Sequence, residues 1–234
     1  MRVNDSVDRA AVFGETAMAS ERIAPGFAAE REVAEHLARY RWAAGQVSEL
    51  RVLDAACGVG YGAPILRDRG AHHVTSVDLS EEALAFGSTR YALTAVRADA
   101  TRLPFPAGAY DAIVSLETIE HVPDPSAVLT EFARVLRSGG LLVCSCPNIS
   151  LSKRNNPYHL SEMTWRELSS RLEDAGFEMS RLVGQHWNVL GGALWRIRGV
   201  ARLARAIDRS PRVGRMPMPR SEPKVFCVTA RKRA

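Results

Sequence analysis

The run Leu53-Asp-Ala-Ala-Cys-Gly-Val-Gly-Tyr-Gly62 sets three glycines and a carboxylate directly behind a short apolar stretch. Gly58 and Gly60 let the backbone come close to a ligand and supply dihedrals that other residues resist. A helix opening here presents free N–H groups and a positive dipole end. That combination suits a nucleotide-like cofactor at the carboxyl end of a sheet. Asp54 sits in the turn itself, Asp78 follows Gly60 by 18 residues at the end of a second apolar run, and Asp99 stands in Ala98-Asp-Ala100 after a third. A carboxylate at 78 can accept both hydroxyls of a ribose. Asp99 can take an adenine amino group while Ala100 offers its backbone N–H. A carboxylate at 54 suits a cofactor carrying positive charge, not a pyrophosphate. Dinucleotide sites space their glycines Gly-x-Gly-x-x-Gly, whereas here the third arrives one position early, at Gly62.

These residues need strands that end at them and helices that start behind them. Arg51–Ala55, Val74–Val77, Ala95–Ala98, Asp111–Ser115 and Leu141–Cys146 read as strands, followed by Phe177–Val183 and Lys224–Ala230. Between them the apolar period turns helical over Phe27–Ala44, 61–70, a stretch capped by Ser80 and running to Tyr91, and one opened by Pro125. Gly139-Gly140 is expected to stop that last helix after Leu136. A further helix is expected over Ser161–Ala175, with Gly176 at its end. Short apolar strands alternating with amphipathic helices predict an α/β fold, a parallel sheet covered on both faces. In the N-terminal helix, Ala29, Val33, Leu37 and Tyr40 form the apolar stripe, and His36 falls on the polar side.

The chain has 234 residues, 46% hydrophobic and 24% charged, which suits one domain with room for additions and excludes disorder as the main class. No run approaches the roughly 18 apolar residues of a membrane span. Met1 to Arg9 is polar and does not read as a secretory signal, so a cytoplasmic location is expected. The net charge of +5 invites a nucleic-acid reading, but residues 196–220 alone carry +7 through eight arginines and Asp208, leaving the rest at −2. Leu194, Ile197, Val200, Leu203 and Ile207 recur at helical spacing there. A basic amphipathic helix over 193–209 is expected, read first as a solvated face, then as a homo-oligomer contact or substrate lid, and last as a membrane-surface element. Cys57, Cys144, Cys146 and Cys227 form no Cys-x-x-Cys pair and no histidine cluster completes a zinc site, so they read as buried thiols and no metal is expected.

At this point the sequence resembles the class I S-adenosylmethionine-dependent methyltransferases. Asp54-x-x-Cys-Gly-x-Gly60 is similar to the family's first motif, Val-Thr-Ser-Val-Asp78-Leu79 to its second, and Ala98-Asp99-Ala100 to its adenine motif. Ala56 departs from the glycine the family commonly has. Leu103-Pro-Phe-Pro, Tyr110 to Glu117 and Ala133 to Gly140 resemble the small-molecule branch. Ser20 to Gly26, Glu35 to Tyr40 and Asn156-Pro-Tyr-His-Leu160 resemble enzymes that tailor sugars and antibiotics. The resemblance implies a Rossmann-like sheet of seven strands with the last antiparallel, and an N-terminal helical lid. It implies S-adenosylmethionine held by Tyr40, Asp54, Ala56, the Cys57–Gly60 backbone, Asp78, Leu79, Asp99, Ala100, Leu116 and Glu117. The domain plan is then a lead-in and lid over 1–45, a cofactor core over 46–183, a basic insert or substrate cap over 184–222, and a final strand and tail over 223–234.

Methyl transfer from a sulfonium is an in-line displacement in which alignment carries much of the rate. A hydroxyl acceptor also needs a general base, whereas an amine needs only to be bound unprotonated. The candidates are His121 first, then Glu120 and, on the loop after the fifth strand, His159. His186 and Trp187 are candidates for a substrate wall. The expected acceptor is a small molecule, first a sugar, aminosugar or related intermediate, with an isoprenoid quinone or phenol second. The glycine spacing and Cys57 argue against a nicotinamide enzyme. A nucleic-acid methyltransferase acting on base amines would carry an Asn/Asp-Pro-Pro-aromatic run where this chain has Ser115-Leu-Glu-Thr118, so no nucleic acid is expected as partner. The intact motifs count against a binding protein without catalysis.

Overall fold

The computed structural model describes residues 29–152, 156–188, 213 and 222–234. The lead-in, the Ser20–Gly26 motif and the basic stretch over 193–209 lie outside the described residues. Strands β1 (Arg51–Ala55), β2 (His73–Asp78), β3 (Thr94–Arg97), β4 (Tyr110–Leu116), β5 (Leu136–Pro147), β6 (Phe177–Asn188) and β7 (Glu222–Lys232) form one sheet in the order β3-β2-β1-β4-β5-β7-β6. Strands β1 to β5 are parallel, and β7 runs antiparallel to both β5 and β6. This is the seven-stranded, Rossmann-like α/β sheet expected.

Alternation along each strand builds a core on both faces. Leu53, Ile113 and Leu142 face one side, where Phe132 of α4 (Pro125–Val135) and Leu168 of α6 (Trp165–Asp174) cover them. Their neighbours Val52, Ala112 and Val143 face the other, under Ala43 of α1 (Glu30–Ala44), Leu66 of α2 (Gly62–Asp68) and Ala83 of α3 (Glu81–Tyr91). All of these side chains are buried, so truncating a large one such as Phe132 would cost about 3–5 kcal/mol.

The helix starts are set by their caps. Ser80 Oγ accepts the Ala83 N–H at 3.2 Å, and Asp124 Oδ1 accepts the Ser126 N–H at 2.9 Å ahead of Pro125. The last helix is shorter than expected. Thr164 and Glu167 close a reciprocal capping box, so the helix starts at Trp165 and not at Ser161. The glycine pair also does not stop α4. That helix ends at Val135 and Leu136 already pairs with Tyr110. Gly139, at φ +69°, and Gly140 instead carry β5 through a bulge before Leu141 pairs with Ala112. Strand β6 runs five residues past Val183, because Gly184 to Asn188 continue its ladder with β7. A short helix, α5 (Ile149–Ser152), follows β5.

Two polar clamps fix loops the sequence singled out. Arg134 donates to the carbonyls of Phe105 and Leu103, and Glu131 accepts the Leu103 N–H, so Leu103-Pro-Phe-Pro is bound to α4. Gln185 accepts from Arg39 and donates to the Glu35 carbonyl at 3.0 Å, which ties α1 to the end of β6.

Candidate active site

Strand order reverses between β1 and β4, and ligands of open α/β sheets bind outside the strand ends at that reversal. A cavity of about 600 Å³ opens there. One end is formed by Ala56, Cys57, Gly58, Asp78 and Leu79, with Ala98 and Ala100 beyond. Gly58 takes φ +58° in open space, so glycine is there for its backbone, and its N–H donates to Asp78 Oδ2 at 2.8 Å. The other carboxylate oxygen of Asp78 accepts the Ser80 N–H at 2.9 Å. A carboxylate has about four lone-pair positions, so the aimed group keeps acceptor capacity toward the cavity. Ala56 holds φ +55°, a left-handed conformation that alanine adopts at a cost. That is the physical reason glycine is commoner at this place.

Asp54, Gly60 and Asp99 lie off the cavity wall. Asp54 is buried beneath Tyr40, whose hydroxyl donates to Asp54 Oδ1 at 3.1 Å. Asp54 Oδ2 is buried with no hydrogen-bond partner. Burial pushes the carboxyl up to about 7, against the pull of the Tyr40 hydrogen bond, and the Asp78 charge adds to the rise. Gly60 packs against Leu93. Asp99 is exposed and turns one oxygen back to the Thr101 N–H and hydroxyl. The early third glycine has a partner in α1. A Cβ on Gly62 would lie 2.0 to 2.5 Å from the Tyr40 ring, so only glycine lets that ring cover Asp54. We expect Gly62→Ala to lower stability by about 1–3 kcal/mol, the usual cost of overpacking. Thermal unfolding in a Tyr40→Leu background should show a smaller penalty, and an undiminished one would break the link.

The other end of the cavity is formed by the strand ends and loops behind β4. Leu116, Glu117, Thr118, His121 and Val122 meet Pro157, Tyr158, His159 and Leu160 across it. Glu117 holds φ +53°, fixed by its N–H on the Ser145 carbonyl at 3.1 Å and by the Ser145 hydroxyl on its Oε1 at 2.7 Å. Ile119–His121 forms a 3₁₀ turn that buries Ile119 and Glu120 and turns His121 to the cavity. The Glu120 carbonyl accepts the N–H groups of Leu160 and Ser161, which joins the two loops. His121 Nδ1 lies 3.1 Å from the Tyr158 carbonyl, and His159 Nδ1 lies 2.5 Å from Glu162 Oε1. The two rings meet edge to face at 4.9 Å. All three catalytic candidates are thus brought together.

His36 is a correction. The side of α1 read as polar faces the cavity, and burial, with the charges of Arg39 and His121, holds its imidazole well below the ordinary histidine range. The available signal was its position four residues before Tyr40, one turn back on the same face. Tyr61, Thr118, Val122 and Pro157 also line the cavity unforeseen. The four cysteines are free and buried, and burial pushes the Cys144 thiol up to about 12. Of His186 and Trp187, the backbone lies in β6.

The fold and this cavity define a Rossmann-like domain built for a nucleoside-bearing, cationic cofactor. Residues 53–144 match the family model described as a methyltransferase domain. A "probable S-adenosylmethionine-dependent methyltransferase" of Mycolicibacterium smegmatis is 35% identical over 174 residues, covering 71% of this chain and 67% of that one. A similarly named Mycobacterium tuberculosis protein is 39% identical over 61% of this chain, which spans only 54% of its length. A ubiquinone biosynthesis O-methyltransferase of Psychrobacter arcticus is 30% identical, over 64% of this chain and 67% of that one. The solved structure of an S-adenosylmethionine-dependent methyltransferase from Thermotoga maritima superposes with a TM-score of 0.63 at 18% identity, covering 86% and 92% of the two chains. The chain belongs to the S-adenosylmethionine-dependent methyltransferases, and S-adenosylmethionine is its cofactor. The residues fit that group, since Asp78 keeps acceptor capacity at the cavity and Asp54 Oδ2 is buried and unpartnered beneath Tyr40. Among the described residues no helix is long and apolar enough to cross a membrane.

Proposed function

We propose that this chain methylates a hydroxyl group of a small molecule, with the sugar or aminosugar class as first reading. Bound S-adenosylmethionine supplies an activated methyl group on its sulfonium. Asp54 lends its carboxylate charge to the ammonium of the methionine part from beneath Tyr40, Asp78 takes the ribose hydroxyls, and Leu79 and Ala100 border the adenine with Asp99 next to Ala100. His121, Glu120 and His159 receive the acceptor. The observation that carries this reading is the His121 hydrogen bond. A carbonyl only accepts, so Nδ1 carries a proton there, and in the neutral ring Nε2 is the basic nitrogen. Tyr158 and Leu160, exposed beside it, give the acceptor an apolar rim. The similarity to a ubiquinone O-methyltransferase favours a phenol as second reading. The lead-in, the basic insert between β6 and β7 and the final strand are proposed to follow the order of the plan above, the insert acting as substrate cap or homo-oligomer contact. The test is demethylated-cofactor release, measured by mass spectrometry, with panels of sugars, aminosugars, catechols and simple amines. Release with hydroxyl acceptors is expected, and release with amines alone would overturn the base.

The raised Asp54 carboxyl makes a second prediction. Its ionised form binds the cationic cofactor better, and that form increases as pH rises through about 7. Cofactor affinity should therefore rise about fivefold between pH 6 and pH 7, below the range where an α-amino group titrates. Isothermal titration calorimetry on the chain and on Asp54→Asn checks this. The variant should bind more weakly and lose the slope, and an unchanged slope would assign it elsewhere.

A further inference from the structure

A second cavity adjoins the acceptor end of the first. It holds about 180 Å³ and is lined by Ile149, Asn156, His159, Leu160 and Glu162. His159 and Leu160 also line the larger cavity, so the two share a wall. Whole small-molecule sites run from about 300 Å³ upward, so this space suits one arm of a ligand seated next door. Its walls are tied in place. The Ile149 N–H donates to the Met163 carbonyl at 3.2 Å, which sets α5 against the end of the loop that carries His159. Leu160 and Ser161 both donate to the Glu120 carbonyl. Glu162 sets the chemistry of the lining, and its side chain is only 5% exposed. The Ser152 hydroxyl donates to its Oε2, and His159 Nδ1 lies 2.5 Å from its Oε1. A carboxylate has about four lone-pair positions, so acceptor capacity remains. Its one ion-pair partner among the described residues is the His159 ring, which is a cation only when protonated. A carboxylate this enclosed favours a cation beside it over a neutral group.

We propose that this side pocket receives the ammonium group of the acceptor, with the Glu162 carboxylate as its counter-ion. The hydroxyl to be methylated then lies beside His121, on the other side of the shared wall. The inference rests on the hydroxyl reading above and narrows its substrate class to aminosugars and other amino alcohols. Ile149 and Leu160 give the carbons next to the nitrogen an apolar contact, and Glu162 meets the charge. A neutral sugar offers Glu162 a hydroxyl without the opposite charge. The same pairing selects the atom that reacts. A carboxylate beside an amine favours its protonated form, and a protonated nitrogen has no lone pair to attack the methyl carbon. The hydroxyl oxygen forms the bond to the methyl carbon as the carbon–sulfur bond breaks, the electron pair stays on sulfur, and the hydroxyl proton goes to His121.

The experiment uses matched pairs, glucosamine against glucose, galactosamine against galactose and mannosamine against mannose, titrated into the full chain loaded with demethylated cofactor. Ligand-observed nuclear magnetic resonance at about pH 6.5, where amines of the α-amino class stay protonated, reads binding without turnover. In at least one pair the amine is expected to bind about 10-fold or more tightly than its hydroxyl twin. Glu162→Gln should erase that preference, and Ile149→Trp, which fills the pocket, should weaken the amine at least as much. S-adenosylmethionine affinity within about twofold of the parent shows that each variant is folded. Equal affinity across every pair, or no binding by any member, would overturn the pocket. So would a preference that survives either variant. Methyl transfer to neutral sugars with no amine preference would overturn the pocket and leave the hydroxyl reading standing. A preference lost in the variants, with no hydroxyl of any pair methylated, would uphold the pocket and overturn the hydroxyl reading.

Discussion

Replacing Asp78 with alanine is expected to weaken S-adenosylmethionine binding by roughly 100-fold. The carboxylate ends β2 at the cavity, 8% exposed, with one oxygen on the Gly58 N–H and the other on the Ser80 N–H. Two further hydrogen bonds to a ribose, at about 1.5 kcal/mol each for a charged acceptor, are worth about 3 kcal/mol. That is about two powers of ten in affinity. The alanine variant also frees the Gly58 N–H, so the glycine turn loosens as the ribose contact goes. Asp78→Asn separates the two effects. An amide keeps the shape but points a donor toward one of two N–H groups, so it should lose affinity while retaining most of the stability. Calorimetry showing parental affinity in either variant would remove Asp78 from the cofactor site.

The reasons Asp78 was legible, and others were not, are physical. A strand, a glycine turn and a helix are local, so Arg51–Ala55 and the Ser80 cap could be read from adjacent residues. Asp78 was found because a strand end fixes where a side chain points. His36 was assigned to the wrong side because amphipathic reading assumes that polar residues face water, and a ligand cavity is a second polar destination. The Arg39–Gln185 link joins residues 146 apart, and nothing local announces it. Gly139 and Gly140 looked like a helix stop because glycine commonly ends helices. The pairing of Leu136 with Tyr110 had already ended this one, a decision made by the neighbouring strand. His159 could be named from its motif, but only the fold reveals Glu162 behind its ring and His121 beside it.

The largest effect on turnover should come from His121→Ala. Cofactor affinity should stay near the parent value, because the ring sits at the opposite end of the cavity from Gly58 and Asp78. Turnover with a hydroxyl acceptor should fall by about 100-fold or more, the usual scale for losing a general base. The competing group is His36, across the cavity on α1. Burial above all holds its imidazole well below the ordinary histidine range, so its protonated form is disfavoured. His36 sits on α1 under that penalty, whereas His121 sits in a 3₁₀ turn fixed to the end of β4 and bonded to the opposite loop. A ring whose protonated form burial disfavours takes the acceptor's proton less readily, which favours His121. Measured side by side under saturating cofactor, His121→Ala should lose kcat, and His36→Ala should lose less. The reverse order would move the base onto helix α1 and leave His121 as a brace between two loops.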